Sequence, residues 1–103
     1  MIKVNFVVSN DLITNVNIKG HAFYDTYGKD IVCAAVSSIV TTTINSILAL
    51  TEDGIKYDTQ DGNVSITVVS DSQVVQKLLN VMLNMLKELA SDYPKNIKIG
   101  GLK

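Results

Sequence analysis

The sequence predicts an α+β fold of two layers, in which two β-hairpins form one sheet and two helices pack on one of its faces. Two pairs of short segments alternate apolar and polar residues, which is the pattern of half-buried strands. Each pair is followed by a longer segment whose apolar residues recur at helical spacing. Hairpins followed by helices favour a two-layer α+β architecture. The 103 residues suit one domain, which we expect to cover positions 1–103.

The first half of the chain is predicted to run in ββα order. Alternation predicts strands over residues 2–9 and 12–19, and the polar turn Ser9-Asn10-Asp11 joins them. Residues 20–29 follow neither period and predict a loop. Asp30 is placed to cap the following helix, because its side chain would accept hydrogen bonds from the free N–H groups of the first turn. Gly54 and the two acidic residues before it end this helix.

The second half repeats the ββα order. Strands are predicted over residues 55–59 and 64–68, and the Asp61-Gly62 pair favours a tight turn between them. Ser70 and Gln73 have the spacing of a capping box at the start of the second helix. Pro94 ends that helix, and Ile97 with Ile99 indicates a possible short C-terminal strand.

Composition excludes several classes of function. Nine basic and ten acidic residues give a net charge of -1, which offers no sequence-wide footprint for nucleic acid, so we expect no direct nucleic-acid partner. A single cysteine cannot form an internal disulfide, and one cysteine with one histidine makes a poor structural zinc site, so we expect no metal and no cofactor. The N-terminal segment has a strand pattern rather than a signal peptide's apolar core, so a cytoplasmic protein is expected.

The first helix is unusual because residues 31–51 contain no charged side chain. Its length would span a bilayer, but its many serines and threonines argue against a lipid-facing helix, so no membrane partner is expected. The apolar stripe of the second helix is also wider than one sheet face requires. Both features predict a homodimer whose isologous interface includes these helices.

The only histidine, His21, and the only cysteine, Cys33, lie on the two sides of the loop. A thiol in the first turn of a helix is favoured as thiolate by the helix dipole, and an imidazole is the usual base for such a nucleophile. The free N–H groups of that turn could also receive an oxyanion. Ser37 lies four residues after Cys33 on the same helix face, and Asp30 or Asp25 could orient the imidazole.

Each of these residues also has a structural interpretation. A lone cysteine on an apolar helix is usually a buried, inert residue, and Asp30 is more often only a cap. Phe23, Tyr24 and Tyr27 lie between Gly20 and Gly28. These five loop residues are interpreted as a lid that contacts substrate. The alternative for the three aromatic residues is that they form part of the core.

The strings Gly20-His21-Ala22 and 28–37 (GKDIVCAAVS) resemble the Prp family of ribosomal-processing cysteine proteases. The resemblance covers the whole chain, which makes the expected domain cysteine-protease-like. It implies His21 and Cys33 as the catalytic pair, with Asp30 and Ser37 in support. It also implies an α+β dimer that removes the N-terminal extension of ribosomal protein twenty-seven of the large subunit, at a site rich in Leu and Phe. The partner would then be the N-terminal peptide of that ribosomal protein precursor.

A second hypothesis belongs to a different class of protein. The chain could be a non-catalytic dimeric binding module for ribosome assembly, in which Cys33 is structural. Thiol chemistry separates the two hypotheses. Modification of Cys33 below neutral pH that depends on His21 favours the protease, whereas a thiol that reacts only on unfolding favours the module.

Overall fold

The computed structural model describes residues 1–70 and 72–101. The elements follow in the order β1 (Ile2–Ser9), β2 (Leu12–Lys19), α1 (Ile31–Leu50), β3 (Ile55–Gln60), β4 (Asn63–Val68), α2 (Gln73–Asp92) and β5 (Ile97–Gly100). The predicted α+β fold with its ββαββα order is confirmed, and so is the short C-terminal strand.

The strands form one five-stranded sheet in the order β3-β4-β2-β1-β5. Both hairpins are antiparallel, and antiparallel pairing of β2 with β4 joins them. The turn of the first hairpin has positive φ at both Asn10 (52°) and Asp11 (63°), as a two-residue hairpin turn of type I′ requires. The last strand, β5, returns to the other edge of the sheet and pairs in parallel with β1.

The core lies between one face of the sheet and the two helices. In β1 the residues Ile2, Val4 and Phe6 are buried while their neighbours in the strand are exposed, so a single face of the sheet is covered. Both helices contribute to this core. Its buried members from α1 are Val32, Val36, Val40, Ile44 and Ile47, and those from α2 include Val75, Leu79, Met82 and Leu86.

The outer side of α1 is exposed and uncharged. By length and apolar composition α1 could cross a membrane, but its buried stripe packs against the sheet in the manner of a core helix. Only five of its 20 residues are buried within this chain, so a wide face of the helix remains available to a partner.

The predicted capping box of the second helix is wrong. The helix begins at Gln73, its N-cap is Ser72, and the Ser72 side chain makes no capping hydrogen bond within the described residues. The reason lies in the strand before it, since the N–H groups of Val69 and Ser70 both donate to the carbonyl of Gly54, at 3.0 and 3.4 Å. Ser70 is therefore still held beside the second hairpin and cannot start the helix.

Candidate active site

Cys33 lies in the first turn of α1, at the position predicted from the sequence. It is half-buried and is a free thiol. The N-cap is Asp30, whose Oδ1 accepts hydrogen bonds from the N–H groups of Val32 and Cys33, both at 3.0 Å. The cap predicted for Asp30 is confirmed, and it fixes the point where the helix begins and hence the direction of the thiol.

The same bonds correct one expectation about the oxyanion. The N–H groups of Val32 and Cys33 are occupied by the Asp30 side chain, and the N–H of Ala34 donates to the Asp30 carbonyl at 3.1 Å. These groups therefore do not point into the cleft as free donors. The expectation that they receive an oxyanion is wrong, because the residue that caps the helix already satisfies them.

Asp30 also holds the loop. Its second oxygen, Oδ2, accepts from the N–H groups of Tyr24 at 2.9 Å and Asp25 at 3.4 Å. Burial by itself would raise the pKa of this carboxyl, but the four backbone donors together outweigh burial and hold the pKa below its ordinary value. In order of effect these donors belong to Cys33, Tyr24, Asp25 and Val32. Asp30 thus joins the helix start and the loop through one carboxylate.

One further donor is directed at the sulfur itself. The N–H of Ala22 lies 3.3 Å from the Cys33 Sγ, although the two residues come from opposite ends of the loop. Ala22 is buried, and its carbonyl accepts a hydrogen bond from the Asn96 side chain at 3.0 Å. This bond holds the sulfur against the first part of the loop.

His21 lies against the turn between β3 and β4. A methyl group added at Gly62 would lie 3.1 Å from the His21 Nε2, so the imidazole rests directly on this glycine. The backbone is tied at the same place, because the N–H of Gly20 donates to the Gly62 carbonyl at 2.8 Å. Within the described residues no hydrogen bond joins the imidazole to Cys33, Asp25 or Asp30.

His21 and Cys33 nevertheless line the same cleft, which has a volume of about 870 Å³. This volume accommodates several residues of a bound peptide. The cleft runs along α1, and Ser37 lies on its wall one turn after the cysteine, as predicted. Its floor and sides are mostly apolar, formed by Ile2, Ile18, Val36, Val40 and Val64, with Thr41, Thr59 and Asp61 as polar members.

The aromatic loop residues do not belong to the core. Tyr27 is fully exposed and Phe23 is 78% exposed, so the core interpretation of these two is wrong. Tyr24 is more restrained, because its ring packs edge-on against Tyr93 with centroids 5.3 Å apart. Phe23, Tyr27 and Gly28 border the cleft and present apolar surface to it.

The two loop glycines behave differently. At Gly20, with φ of 95°, an added Cβ would lie 2.5 Å from the Met1 carbonyl oxygen, so only glycine fits. Gly28 has a positive φ but nothing within 4 Å of an added Cβ. Gly20 is therefore a fixed point of the loop, whereas the surroundings of Gly28 are open.

Sequence reasoning missed two contributors to the site. The Asp61-Gly62 turn was predicted as a turn, but its contact with His21 depends on the pairing of β4 with β2. Asn96 carries no recognisable signal, because 74 residues separate it from Ala22.

A thiol at a capped helix start, with a histidine across a peptide-sized apolar cleft, defines the class of cysteine hydrolases. The family model described as cysteine protease Prp matches residues 1–98. The chain therefore belongs to the Prp family and is a cysteine protease, a peptide hydrolase. This membership decides against the non-catalytic binding module.

Curated relatives and solved structures agree with this assignment. The chain is 34% identical over 103 residues to the ribosomal processing cysteine protease Prp of Staphylococcus aureus (strain Mu50 / ATCC 700699), covering 96% of this chain and 97% of the relative. It is 31% identical over 101 residues to the Prp of Mycoplasma genitalium, covering 96% and 94% of the two chains.

Two crystal structures of the essential ribosomal processing protease Prp from S. aureus have the same fold. The structure with a covalently linked product peptide superposes with a TM-score of 0.94 at 32% identity, covering 97% of this chain and 98% of the other. The structure with a substrate peptide has a TM-score of 0.86 at 31% identity, covering 96% and 97%.

Proposed function

We propose that this protein removes the N-terminal extension of a large-subunit ribosomal protein, protein twenty-seven, with Cys33 as nucleophile and His21 as general base. The observation that carries the proposal is the placement of both residues on one peptide-sized cleft. The ribosomal-processing activity of the relatives supports the substrate class.

The chemistry follows the general course of thiol proteases. His21 accepts the Cys33 proton, and the sulfur attacks the carbonyl carbon of the scissile peptide bond. The same imidazole then gives its proton to the departing amine, which leaves a thioester between Cys33 and the acyl part of the peptide. Water hydrolyses this thioester, while His21 accepts a proton from the water, and the thiol is restored.

The cleft supports an apolar peptide as substrate. Its apolar lining includes Val36 and Val40 of α1, which are almost completely buried by the core, and Val64 of β4, which is half-buried. Leu and Phe side chains would be removed from water against these residues, which favours binding by about 1.5–3 kcal/mol for each side chain that is fully buried.

We propose further that the loop closes over the bound peptide. The imidazole rests on Gly62 and has no hydrogen bond to Cys33 within the described residues, so proton transfer requires His21 to approach the sulfur. Phe23 and Tyr27 are exposed beside the cleft and gain an apolar contact when a peptide is bound. Closure would exclude water and bring the catalytic pair together.

We also propose a cytoplasmic homodimer. The exposed side of α2 carries an apolar ridge of Val74, Val81 and Met85, and Leu48 and Leu50 are exposed at the end of α1. Apolar ridges of this kind are normally covered by a partner. Sedimentation at micromolar concentration tests this, and a monomer would contradict it.

The proposed function is tested with peptides that span the N-terminal extension of protein twenty-seven, followed by mass spectrometry. Cys33→Ala should abolish cleavage while the fold is kept, because the change removes a single sulfur atom. Cys33→Ser should be nearly as inactive, since a hydroxyl is far harder to deprotonate. Cleavage by purified Cys33→Ala at the wild-type rate would refute the mechanism.

The role of His21 is measured separately. His21→Ala should lower the cleavage rate by about 100-fold or more while the peptide still binds. Wild-type turnover by His21→Ala would show that another group accepts the proton. Peptides of equal length without Leu or Phe serve as the control for substrate choice.

A further inference from the structure

A continuous series of contacts leads from the turn between α2 and β5 to the cysteine sulfur. The Nδ2 of Asn96 donates to the carbonyl of Ala22 at 3.0 Å, and the N–H of Ala22 donates to the Sγ of Cys33 at 3.3 Å. Ala22 is the residue between His21 and Phe23 and is almost completely buried. Asn96 thus makes no hydrogen bond to the thiol or the imidazole among the described residues, but it holds the residue that contacts the thiol.

Asn96 is itself held firmly. Its backbone N–H donates to the carbonyl of Tyr93 at 3.0 Å, and its carbonyl accepts from the N–H of Ile2 at 2.8 Å. The ring contact between Tyr24 and Tyr93 joins the same turn to the loop a second time. The turn after α2 is therefore a rigid support for the first part of the loop.

We propose that Asn96 is a positioning residue for the protease reaction, which holds the Ala22 backbone in place so that the Ala22 N–H donates to the Cys33 sulfur and stabilises its thiolate. This inference rests on the proposed role of Cys33 as nucleophile. The N–H groups of Val32, Cys33 and Ala34 are occupied by Asp30, so the Ala22 N–H is the donor that the structure directs at the sulfur.

The effect of the Ala22 N–H on the Cys33 sulfur has a definite direction. A donor at the sulfur stabilises negative charge there, so the Ala22 N–H is expected to favour attack by the Cys33 sulfur. Without the Asn96 amide, the Ala22 carbonyl loses its partner, the Ala22 backbone is held less firmly, and the bond from its N–H to the sulfur is expected to weaken. One hydrogen bond to a charged group corresponds to about a tenfold change in an equilibrium, so the thiolate fraction at low pH should fall by about tenfold.

The test uses Asn96→Ala and Asn96→Leu, which both remove the donor and leave the charge unchanged. Cys33 is the only cysteine, so iodoacetamide reports on it alone. The pH profile of alkylation should move upward in both variants, with a rate about tenfold lower at pH 6 and nearly equal to the wild-type rate at strongly alkaline pH. The kcat for peptide cleavage should fall by about tenfold, while KM stays within about twofold.

Two matched controls separate positioning from general loss of stability. Lys95→Ala changes the exposed residue beside Asn96 and should leave the alkylation profile unchanged. Gln76→Leu breaks two buried hydrogen bonds at the opposite end of β2, so it lowers stability without contacting the site. An unmoved alkylation profile in both Asn96 variants would overturn the inference, and so would an equal shift in Gln76→Leu or a shift that leaves kcat unchanged.

The results that would refute the proposed function differ from those that would refute the role of Asn96. If the wild-type protein cleaves no ribosomal peptide and its alkylation does not depend on His21, the proposed function fails and Asn96 has no role in catalysis. If the wild-type protein cleaves the peptide but the Asn96 variants match it, the positioning role alone is refuted.

Discussion

The double role of Asp30 leads to a quantitative prediction for Asp30→Asn. An asparagine caps a helix as well as an aspartate does, so its Oδ1 keeps the bonds from Val32 and Cys33. Its amide nitrogen then replaces Oδ2 and faces two N–H donors, those of Tyr24 and Asp25. The variant therefore loses the loop bonds while it keeps the cap.

The magnitude follows from the geometry of those two bonds. The bond from Tyr24, at 2.9 Å, is good, whereas the bond from Asp25, at 3.4 Å, is at the limit of a hydrogen bond. One good bond to a charged acceptor contributes about 1.5–3 kcal/mol, so the free energy of unfolding should fall by about 2 kcal/mol. For a domain of this size the Tm should fall by about 10 °C. Asp30→Ala should lose about 1 kcal/mol more, because the cap is lost too.

The pH dependence provides a second measurement. The folded-state pKa of Asp30 lies below its unfolded value, so the unfolded chain takes up this proton first as the pH falls. The contribution of Asp30 is therefore complete above about pH 4 to 5 and is lost as the pH falls through the lower, folded-state pKa. Asp30→Asn has no such group, and its stability should fall less steeply with acid.

The assay is thermal and urea unfolding at constant protein concentration, followed by circular dichroism between pH 3 and pH 7. Asp25→Asn is the matched control in the same loop, because the bond from the N–H of Thr26 to Oδ1, at 2.7 Å, is kept by the amide oxygen. It should lie close to wild type. The reasoning is refuted if Asp30→Asn is as stable as Asp25→Asn, or if its loss equals that of Asp30→Ala.

Three further predictions concern other contacts. Gln76→Leu should lower the free energy of unfolding in urea by about 2–3 kcal/mol, because the Gln76 side chain satisfies both the N–H and the carbonyl of Ile13. Ile13 lies beyond the point where β4 pairs with β2, and a change below about 0.5 kcal/mol would contradict the prediction. Gly62→Ala should shift the His21 ring signals in NMR, whereas Gly28→Ala, which also has a positive φ, should not; equal shifts in both variants would contradict the contact. Addition of a Leu- and Phe-containing peptide to Cys33→Ala should slow amide exchange in residues 20–30, mainly at Tyr27 and Gly28, and unchanged exchange at saturation would show that the loop is not a lid.

Much of this structure could be predicted from the sequence because the signals were local. Alternation over residues 2–9 and 12–19 is an immediate consequence of a strand with one buried face. The cap at Asp30 and the place of Cys33 in the first turn also depend only on neighbours within three residues. The Ser70–Gln73 capping box had an equally local signal, but it failed because Gly54 holds Ser70 through backbone bonds that the local pattern does not contain.

The sequence by itself therefore determined the elements, their order and the residues proposed to carry the chemistry. Only the tertiary structure decided the strand order, the contact of His21 with Gly62 and the bonds from Asn96 through Ala22 to the Cys33 sulfur. The physical reason is distance along the chain. Periodicity and capping are set by residues within one or two turns of each other, whereas Asn96 and Ala22 are 74 residues apart and meet only when β5 pairs with β1 and brings the turn after α2 beside the loop.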